Sequence, residues 1–191
     1  MNEIKNSKIC AYSALSFTGC VLIAQGQQDE MFKVSDSMEN RHRRLRRFVR
    51  MEPGVTVVVA AAEFEWAVSR AIIALGILPN VEIRVMVEAC SGLGRYRDLW
   101  KKVVKPHTGR SLPSIIPDWQ ELREHAFKLR NELVHGVRGT VSVDFAANRL
   151  DCLLESTNSI FKFAEEQGVD LGRKLPVRRR KKPSTNGGAQ R

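Results

Sequence analysis

The chain has 191 residues, which is enough for one domain with a sizeable hydrophobic core and additional terminal segments. With 43% hydrophobic and 27% charged residues, its composition is that of an ordinary soluble globular protein. The net charge of +10 is not evenly distributed along the chain. Residues 41–50 contain six basic side chains, residues 173–191 contain eight, and neither segment contains an acid. Such clusters bind polyanions, since each neutralised phosphate releases counterions. A basic tail that only improves solubility is the alternative.

The first 38 residues contain an apolar run, residues 9–24, that follows two lysines and resembles the core of a signal peptide. Against export, Leu22 stands where cleavage after Ala24 would need a small residue, and the run is short for a membrane-spanning helix. The four cysteines are far apart and include no C-x-x-C pair, so they indicate neither a zinc site nor a disulfide framework. We therefore predict a cytoplasmic protein without membrane contact, in which residues 1–38 are poorly structured or precede the true start.

Two helices are predicted next along the chain. A basic helix runs from about Asn40 to Arg50, and a second helix begins at Pro53 and ends at Gly76. The second helix is apolar on nearly every side, and its narrow polar stripe indicates the buried centre of a helical bundle. The polar residues of this stripe are Thr56, Glu63, Glu65, Ser69 and Arg70. We expect Glu63 and Arg70 to pair with each other or to extend to the surface.

The segment after Asn80 is ambiguous, because the alternation of Val81, Ile83 and Val85 favours a strand by its period. We predict a helix capped by Asn80, since no partner strand is evident elsewhere. A short helix follows over residues 95–104. Residues 105–117 are predicted to form a loop, in which His107 and Arg110 are candidates for contacting nucleic acid; an ordinary surface loop is the alternative.

The clearest helix begins after Pro117 and ends near Gly136, with one apolar seam at spacings of three and four residues. The seam consists of Trp119, Leu122, Ala126, Leu129 and Leu133. A last helix is predicted from about Ser142 to Gln167, with Val143 among its buried residues. We thus predict an all-α fold, a single bundle of four to six helices over residues 39–168. The basic residues 169–191 lack the apolar content to fold and are predicted to be a disordered tail.

The end of the clearest helix carries the sequence L-R-N-E-L-V-H-G, residues 129–136. Asn131 and His135 are four residues apart and share one helix face, while the long side chain of Arg130 can extend towards the same space. A guanidinium binds phosphate through two hydrogen bonds, and an imidazole can give or take a proton near neutral pH. Together they could transfer a phosphodiester without a metal or cofactor. The alternative is that both basic residues only stabilise the negative end of the helix dipole.

The stretch R-N-E-L-V-H resembles the R-x4-H motif of HEPN domains, including the polar residue, Asn131, that commonly follows the arginine. Its position at the end of a late helix, and the buried helix that contains WAVSRAIIALG, extend the resemblance over roughly residues 40–168. The resemblance implies a ribonuclease in which Arg130 and His135 are catalytic and Asn131 assists them. Attack by a ribose 2′-OH would leave a 2′,3′-cyclic phosphate and a 5′-OH end.

The family usually builds its cleft between two subunits, so the resemblance also implies a homodimer with a composite active site. Many members are toxins or defence effectors, with an antitoxin or a nucleotidyltransferase as a possible partner. Others have lost catalysis and act as binding or adaptor proteins, which is the alternative function. No P-loop, G-x-G-x-x-G, H-E-x-x-H or G-x-S-x-G motif is present.

RNA is the predicted partner of both basic segments. The candidate phosphate-binding residues are Arg43, Arg44, Arg46 and Arg47 in the first segment, and Arg178, Arg179, Arg180, Lys181 and Lys182 in the second. The run in the second segment also matches the composition of a nuclear-localisation signal. His42 and His125 are expected to lie on solvated helix faces.

Overall fold

The computed structural model describes residues 37–175 and 177–178, and within these residues the chain is helical and contains no strand. The seven helices of this part are α1 (Met38–Phe48), α2 (Pro53–Leu75), α3 (Asn80–Glu88), α4 (Gly92–Val103), the single turn α5 (Lys105–Thr108), α6 (residues 119–134) and α7 (Val143–Glu166). The prediction of an all-α fold is confirmed, with six longer helices and one additional turn. No helix in the described ranges has both the length and the apolar character needed to cross a membrane. The predicted N-terminal segment lies outside the described residues, apart from Ser37 and Met38.

Helix α2 is the buried centre of the bundle, as its sequence predicts. It packs along α7 and also contacts α1, α3, α4 and α6. Small side chains such as Ala60 and Ala67, both fully buried, allow the neighbouring helices to approach closely. Pro53 occupies the first turn of α2, and Gly76 follows its last residue.

Helix α1 is held on α2 by a buried ion pair. The Nε of Arg41 lies 2.9 Å from Glu63 Oε1, and both residues are 7% exposed. The prediction that His42 lies on a solvated face is wrong, because it is 5% exposed, with Nε2 3.5 Å from the same carboxylate oxygen. Glu63 does not pair with Arg70, whose Nε instead donates to the carbonyl oxygen of Leu171 at 2.7 Å.

Residues 80–88 form a helix, as predicted, although their valines alternate. Ile83 is buried against the core, whereas Val81 and Val85 are exposed, which is the pattern of a helix with one inward face. Asn80 does not cap α3: it is buried, and its Oδ1 accepts a hydrogen bond from the backbone N–H of Arg178 at 2.9 Å.

Helix α6 is continuous but not regular. It consists of an α-helical turn (Trp119–Glu121), a π-helical turn (Leu122–Ala126) and a second α-helical part (Phe127–Val134). Asp118 caps it by accepting the backbone N–H of Glu121 at 2.9 Å. The predicted seam faces the core, with Leu122, Ala126 and Leu129 buried. Gly136, at φ +69°, ends the helix in a Schellman motif in which the N–H of Val137 donates to the carbonyl oxygen of Glu132 at 2.9 Å.

Helix α7 is capped by Ser142 and ends before Gly168, as predicted, although Val143 is 38% exposed rather than buried. The prediction that the chain is disordered from residue 169 onward is wrong for its first residues. Leu171 is 1% exposed and Leu175 9%, because both pack on the core. The domain therefore continues past residue 168.

Candidate active site

Helix α6 turns Arg130 towards α2, where the guanidinium is fixed by two neighbours. Its Nη1 donates to Asn131 Oδ1 at 3.0 Å, and its Nη2 lies 3.6 Å from Glu65 Oε2. About a quarter of the side chain (26%) remains exposed, while its Nε is buried without a hydrogen-bond partner in the described structure. The guanidinium is thus held at the surface in a defined orientation, with Asn131 beside it.

Glu65 is a residue of this site that the sequence presented only as an interruption of an apolar helix. Burial raises the pKa of its carboxyl, and the positive charge of Arg130 opposes that rise. Burial also raises the pKa of the neighbouring Tyr96 on α4, whose side chain forms a hydrogen bond with Ser69 that acts in the opposite direction. The Arg130 guanidinium therefore lies in a partly desolvated polar cluster that joins three helices.

His135 is the C-cap residue of α6, and it is exposed to solvent. Its backbone N–H donates to the carbonyl oxygen of Asn131 at 2.9 Å, whereas its imidazole has no hydrogen bond or ion pair within the described part of the chain. Both ring nitrogens are therefore accessible to a ligand. The exposed side chains of Val134 and Val137 flank it, at 50% and 78% exposure.

The structure brings Arg130 together with Asn131 and Glu65, but not with His135. Five residues along an α-helix correspond to a rise of about 7.5 Å and a rotation of about 140°, so the two side chains leave α6 in different directions. No hydrogen bond or ion pair among the described residues connects them. Asn131 and His135, four residues apart, do share one face. One chain alone therefore does not enclose a pocket between Arg130 and His135.

A cavity of about 590 Å³ opens beside the tip of α6. It lies between the start of α2 and the loop that follows α6, and its lining includes Gly54, Leu133, Gly136, Arg138 and Val141. Gly136 follows His135 in the sequence, but His135 itself does not line this cavity.

The basic residues of α1 line a second cavity, of about 870 Å³. Its lining contains Arg43, Arg46 and Arg47 of the predicted phosphate-binding residues, together with Arg50, which was not among them. Arg46 also forms an exposed ion pair, with Nε 3.3 Å from Asp151 Oδ1. Arg44 is half-buried and does not belong to this lining.

The remaining predicted residues are distributed over other parts of the molecule. Arg178 has a structural role: its guanidinium donates to the carbonyl oxygens of Ile73 and Ala74 at the end of α2 and of Leu78 beyond it, which leaves few of its N–H groups for a phosphate. Residues 179–182 lie outside the described ranges. His107 is exposed on α5, and Arg110 is exposed with its Nη2 3.1 Å from the carbonyl oxygen of Ser114.

Comparison of the chain with protein-family models, curated proteins and solved structures gives no match. The described residues contain no group of three or more His, Cys, Asp and Glu side chains that could hold a metal ion. The resemblance to HEPN domains thus remains a prediction from residues 129–136 and their setting.

Proposed function

We propose that this protein is a metal-independent endoribonuclease of the HEPN type. One observation carries the proposal: neighbouring turns of the same helix end present a guanidinium, oriented by Glu65 and Asn131, and the exposed, unpartnered imidazole of His135. These are the two groups that phosphodiester transfer needs, a stabiliser of negative charge and a proton carrier.

In the proposed reaction, the imidazole of His135 removes the proton of a ribose 2′-OH, and the oxygen attacks the adjacent phosphorus. The P–O5′ bond breaks, the leaving 5′ oxygen takes up a proton from water, and the imidazolium of His135 returns its proton to the solvent. The products are a 2′,3′-cyclic phosphate and a 5′-OH end. Proton transfer by a positioned side chain contributes about 10²–10⁴ in rate. The guanidinium of Arg130 binds the oxygens on which negative charge develops.

A second copy of the chain completes the site in this proposal. A twofold axis beside the tip would place His135 of each chain near Arg130 of the other and would cover the exposed Val134 and Val137. The separation of Arg130 and His135 within one chain is consistent with such a composite site.

The first experiment is cleavage of a labelled single-stranded RNA in EDTA. We expect His135→Ala to lose cleavage and to keep RNA affinity, with 2′,3′-cyclic ends produced by the unchanged protein and no cleavage of DNA, which lacks the 2′-OH. His125→Ala is the matched control, because His125 is an exposed histidine on the same helix, about half exposed and near Glu121. Cleavage that survives His135→Ala, or that requires a metal, would contradict the proposal.

The second experiment tests the composite site by mixing two inactive variants, Arg130→Ala and His135→Ala. In a mixed dimer, one of the two sites receives an intact arginine from one chain and an intact histidine from the other. If equal mixing makes half of the dimers mixed, about a quarter of the wild-type activity returns. If both groups of each site came from the same chain, no activity would return.

A non-catalytic nucleic-acid-binding or adaptor protein is the second candidate. The ion pair between Arg130 and Glu65 favours it, because a guanidinium that already has a carboxylate partner serves stability without catalysis. In that case RNA would bind without being cut, and His135→Ala would behave like the wild type. Expression in cells separates the two further: a toxin or defence effector causes growth arrest that depends on His135 and is relieved by its antitoxin.

A further inference from the structure

We infer that the α1 groove, the cavity lined by Arg43, Arg46, Arg47 and Arg50, binds the sugar–phosphate backbone of single-stranded RNA outside the cleavage site. The groove is a second binding site, whose contribution is to hold the strand that the α6 tip cuts. The identity of the strand as a substrate rests on the proposed function, whereas binding itself does not.

The spacing of the arginines fits a linear polyanion. Arg43 and Arg46 are one turn apart on α1, and Arg50 lies in the turn that directly follows the helix, so the three residues succeed one another along one side of the groove. The side chains of Arg43 and Arg50 form no ion pair or hydrogen bond with another described residue. The lining contains one carboxylate, that of Glu39, against four arginines. Guanidinium groups bind phosphate oxygens through two parallel hydrogen bonds, and successive guanidinium groups need a ligand with several phosphates in a row.

The groove is preorganised, because α1 is fixed to the body from beneath. The buried pair of Arg41 and Glu63 connects α1 to α2, and Leu45 and Val49, at 2% and 5% exposure, pack in the core. The arginines of the groove therefore project from a rigid helix. A rigid site loses less conformational entropy on binding than a charged segment without fixed geometry.

The position of the groove relative to the α6 tip also fits one continuous RNA strand. Arg50 is three residues before Pro53, where α2 begins, and Gly54 lines the cavity next to the α6 tip together with Leu133 and Gly136. The Arg50 end of the groove and His135 therefore lie at the same end of the bundle. A strand bound in the groove can continue to the proposed cleavage site, so RNA of several nucleotides would contact both.

The binding experiment uses a fluorescent, uncleavable 2′-O-methyl RNA of twelve nucleotides. We expect the variant Arg43→Gln with Arg50→Gln to bind about tenfold more weakly, because it loses two exposed ion pairs with phosphates. The slope of log affinity against log salt should decrease by about 1.4, since each single-strand phosphate contact contributes about 0.7. The matched control, Arg84→Gln with Arg97→Gln, removes two exposed arginines from α3 and α4 and should bind nearly as tightly as the wild type. Equal losses in both variants would overturn the inference.

A variant that strengthens binding provides a check that unfolding cannot mimic. Asp151→Asn removes the carboxylate that holds Arg46 at 3.3 Å, so we expect two- to fivefold tighter binding, the range of an exposed ion pair. Unchanged or weaker binding would contradict a role of the groove. Polyglutamate is the competitor that represents an acidic protein surface. Displacement of RNA by polyglutamate at equal charge concentration would show that the groove binds an acidic protein instead.

Cleavage of two substrates separates this inference from the proposed function. The groove variant should raise KM for a twelve-nucleotide RNA about tenfold, leave kcat unchanged, and leave cleavage of a dinucleotide unchanged, since a dinucleotide is too short to span the groove and the tip. An equal effect on both substrates would overturn the groove as a separate site. If the wild type binds RNA through the groove but cuts neither substrate, the proposed function fails while the groove stands.

Discussion

The buried pair of Arg41 and Glu63 is the contact whose removal should change the molecule most. Replacing Glu63 by Leu leaves the Arg41 guanidinium, 7% exposed, without its carboxylate. Replacing Arg41 by Met removes the guanidinium from the Glu63 carboxylate, which then has the imidazole of His42 beside it. Removing one partner of a buried ion pair costs about 3–5 kcal/mol, because the remaining buried charge loses the opposite charge that offset its desolvation.

The double variant, Arg41→Met with Glu63→Leu, should be much more stable than either single change. Both charges are then absent, and Met retains apolar contact with Trp66, over which the guanidinium lies at 5.4 Å from the ring centroid. We expect its free energy of unfolding to be close to that of the wild type, which corresponds to a coupling energy of at least about 6 kcal/mol between the two positions, the sum of the two single losses.

Urea unfolding of the four proteins measures this coupling. With a slope of about 2 kcal/mol per molar, each single change should lower the midpoint by about 2 M, and the double variant should recover most of that loss. Additive effects, with the double variant the least stable, would refute the view that the two residues act through each other. Single variants that are as stable as the wild type would show that water already solvates the pair.

Two further predictions concern titratable side chains. Burial, with a contribution from the carboxylates of Glu121 and Asp118, raises the pKa of the Cys152 thiol from 9.0 to about 11, so at pH 8 its thiolate fraction is about 100-fold smaller. Alkylation of Cys152, followed by peptide mass spectrometry, should be about 100-fold slower in the folded protein than in urea, and equal rates would contradict this. Folding raises the pKa of Glu65 above 4.5. Between the unfolded and the folded pKa of this carboxyl, the folded protein binds more protons than the unfolded chain. The free energy of unfolding therefore falls as the pH rises through that range. Glu65→Gln should therefore gain stability relative to the wild type between pH 4 and pH 8; a difference independent of pH would contradict the assignment.

Local signals in the sequence were sufficient for the longer helices, whereas the prediction of a loop over residues 105–117 was wrong, because this segment contains α5 and a 3-10 helix (Leu112–Ser114). Pro53 marks the start of α2, and Gly76 follows its end. Gly136 ends α6, and Ser142 caps the start of α7. Each of these residue types suits the backbone conformation or the hydrogen bonding of a helix end. The apolar character of α2 indicated its central position for the same reason: a helix without a polar face needs neighbours on all sides.

Contacts between distant segments could not be predicted in this way. Arg178 resembles the basic residues after it, and only the folded chain shows its guanidinium bound to the end of α2, about 100 residues earlier. His42 lies in a run of arginines that indicates an exposed helix. The spacing of Leu45 and Val49 marks the inward face of α1, and His42, three residues before Leu45, belongs to it.

The candidate site was predicted in part. Residues 130–135 could be selected because their chemistry is encoded within one helix end. The partner that orients Arg130 could not, since Glu65 is 65 residues away and its carboxylate carries no local mark of that role. In the proposed composite site, the residues beside His135 belong to a second chain, whose position no pattern within one sequence specifies.

The π-helical turn at Leu122–Ala126 gives α6 one more residue than a regular helix of the same length would contain. Each residue of a regular α-helix adds about 100° of rotation, and the wider π-helical turn takes up the additional residue without changing the direction in which Arg130 and His135 face. Deletion of the exposed Glu124 would convert the turn to regular helix and leave the orientation of the tip unchanged. Deletion of Lys128, beyond the turn, would rotate the tip by about 100° and separate Arg130 from Glu65. The loss of one residue from α6 should therefore preserve the direction of the helix end if it occurs in the π-helical turn, but not if it occurs beyond that turn.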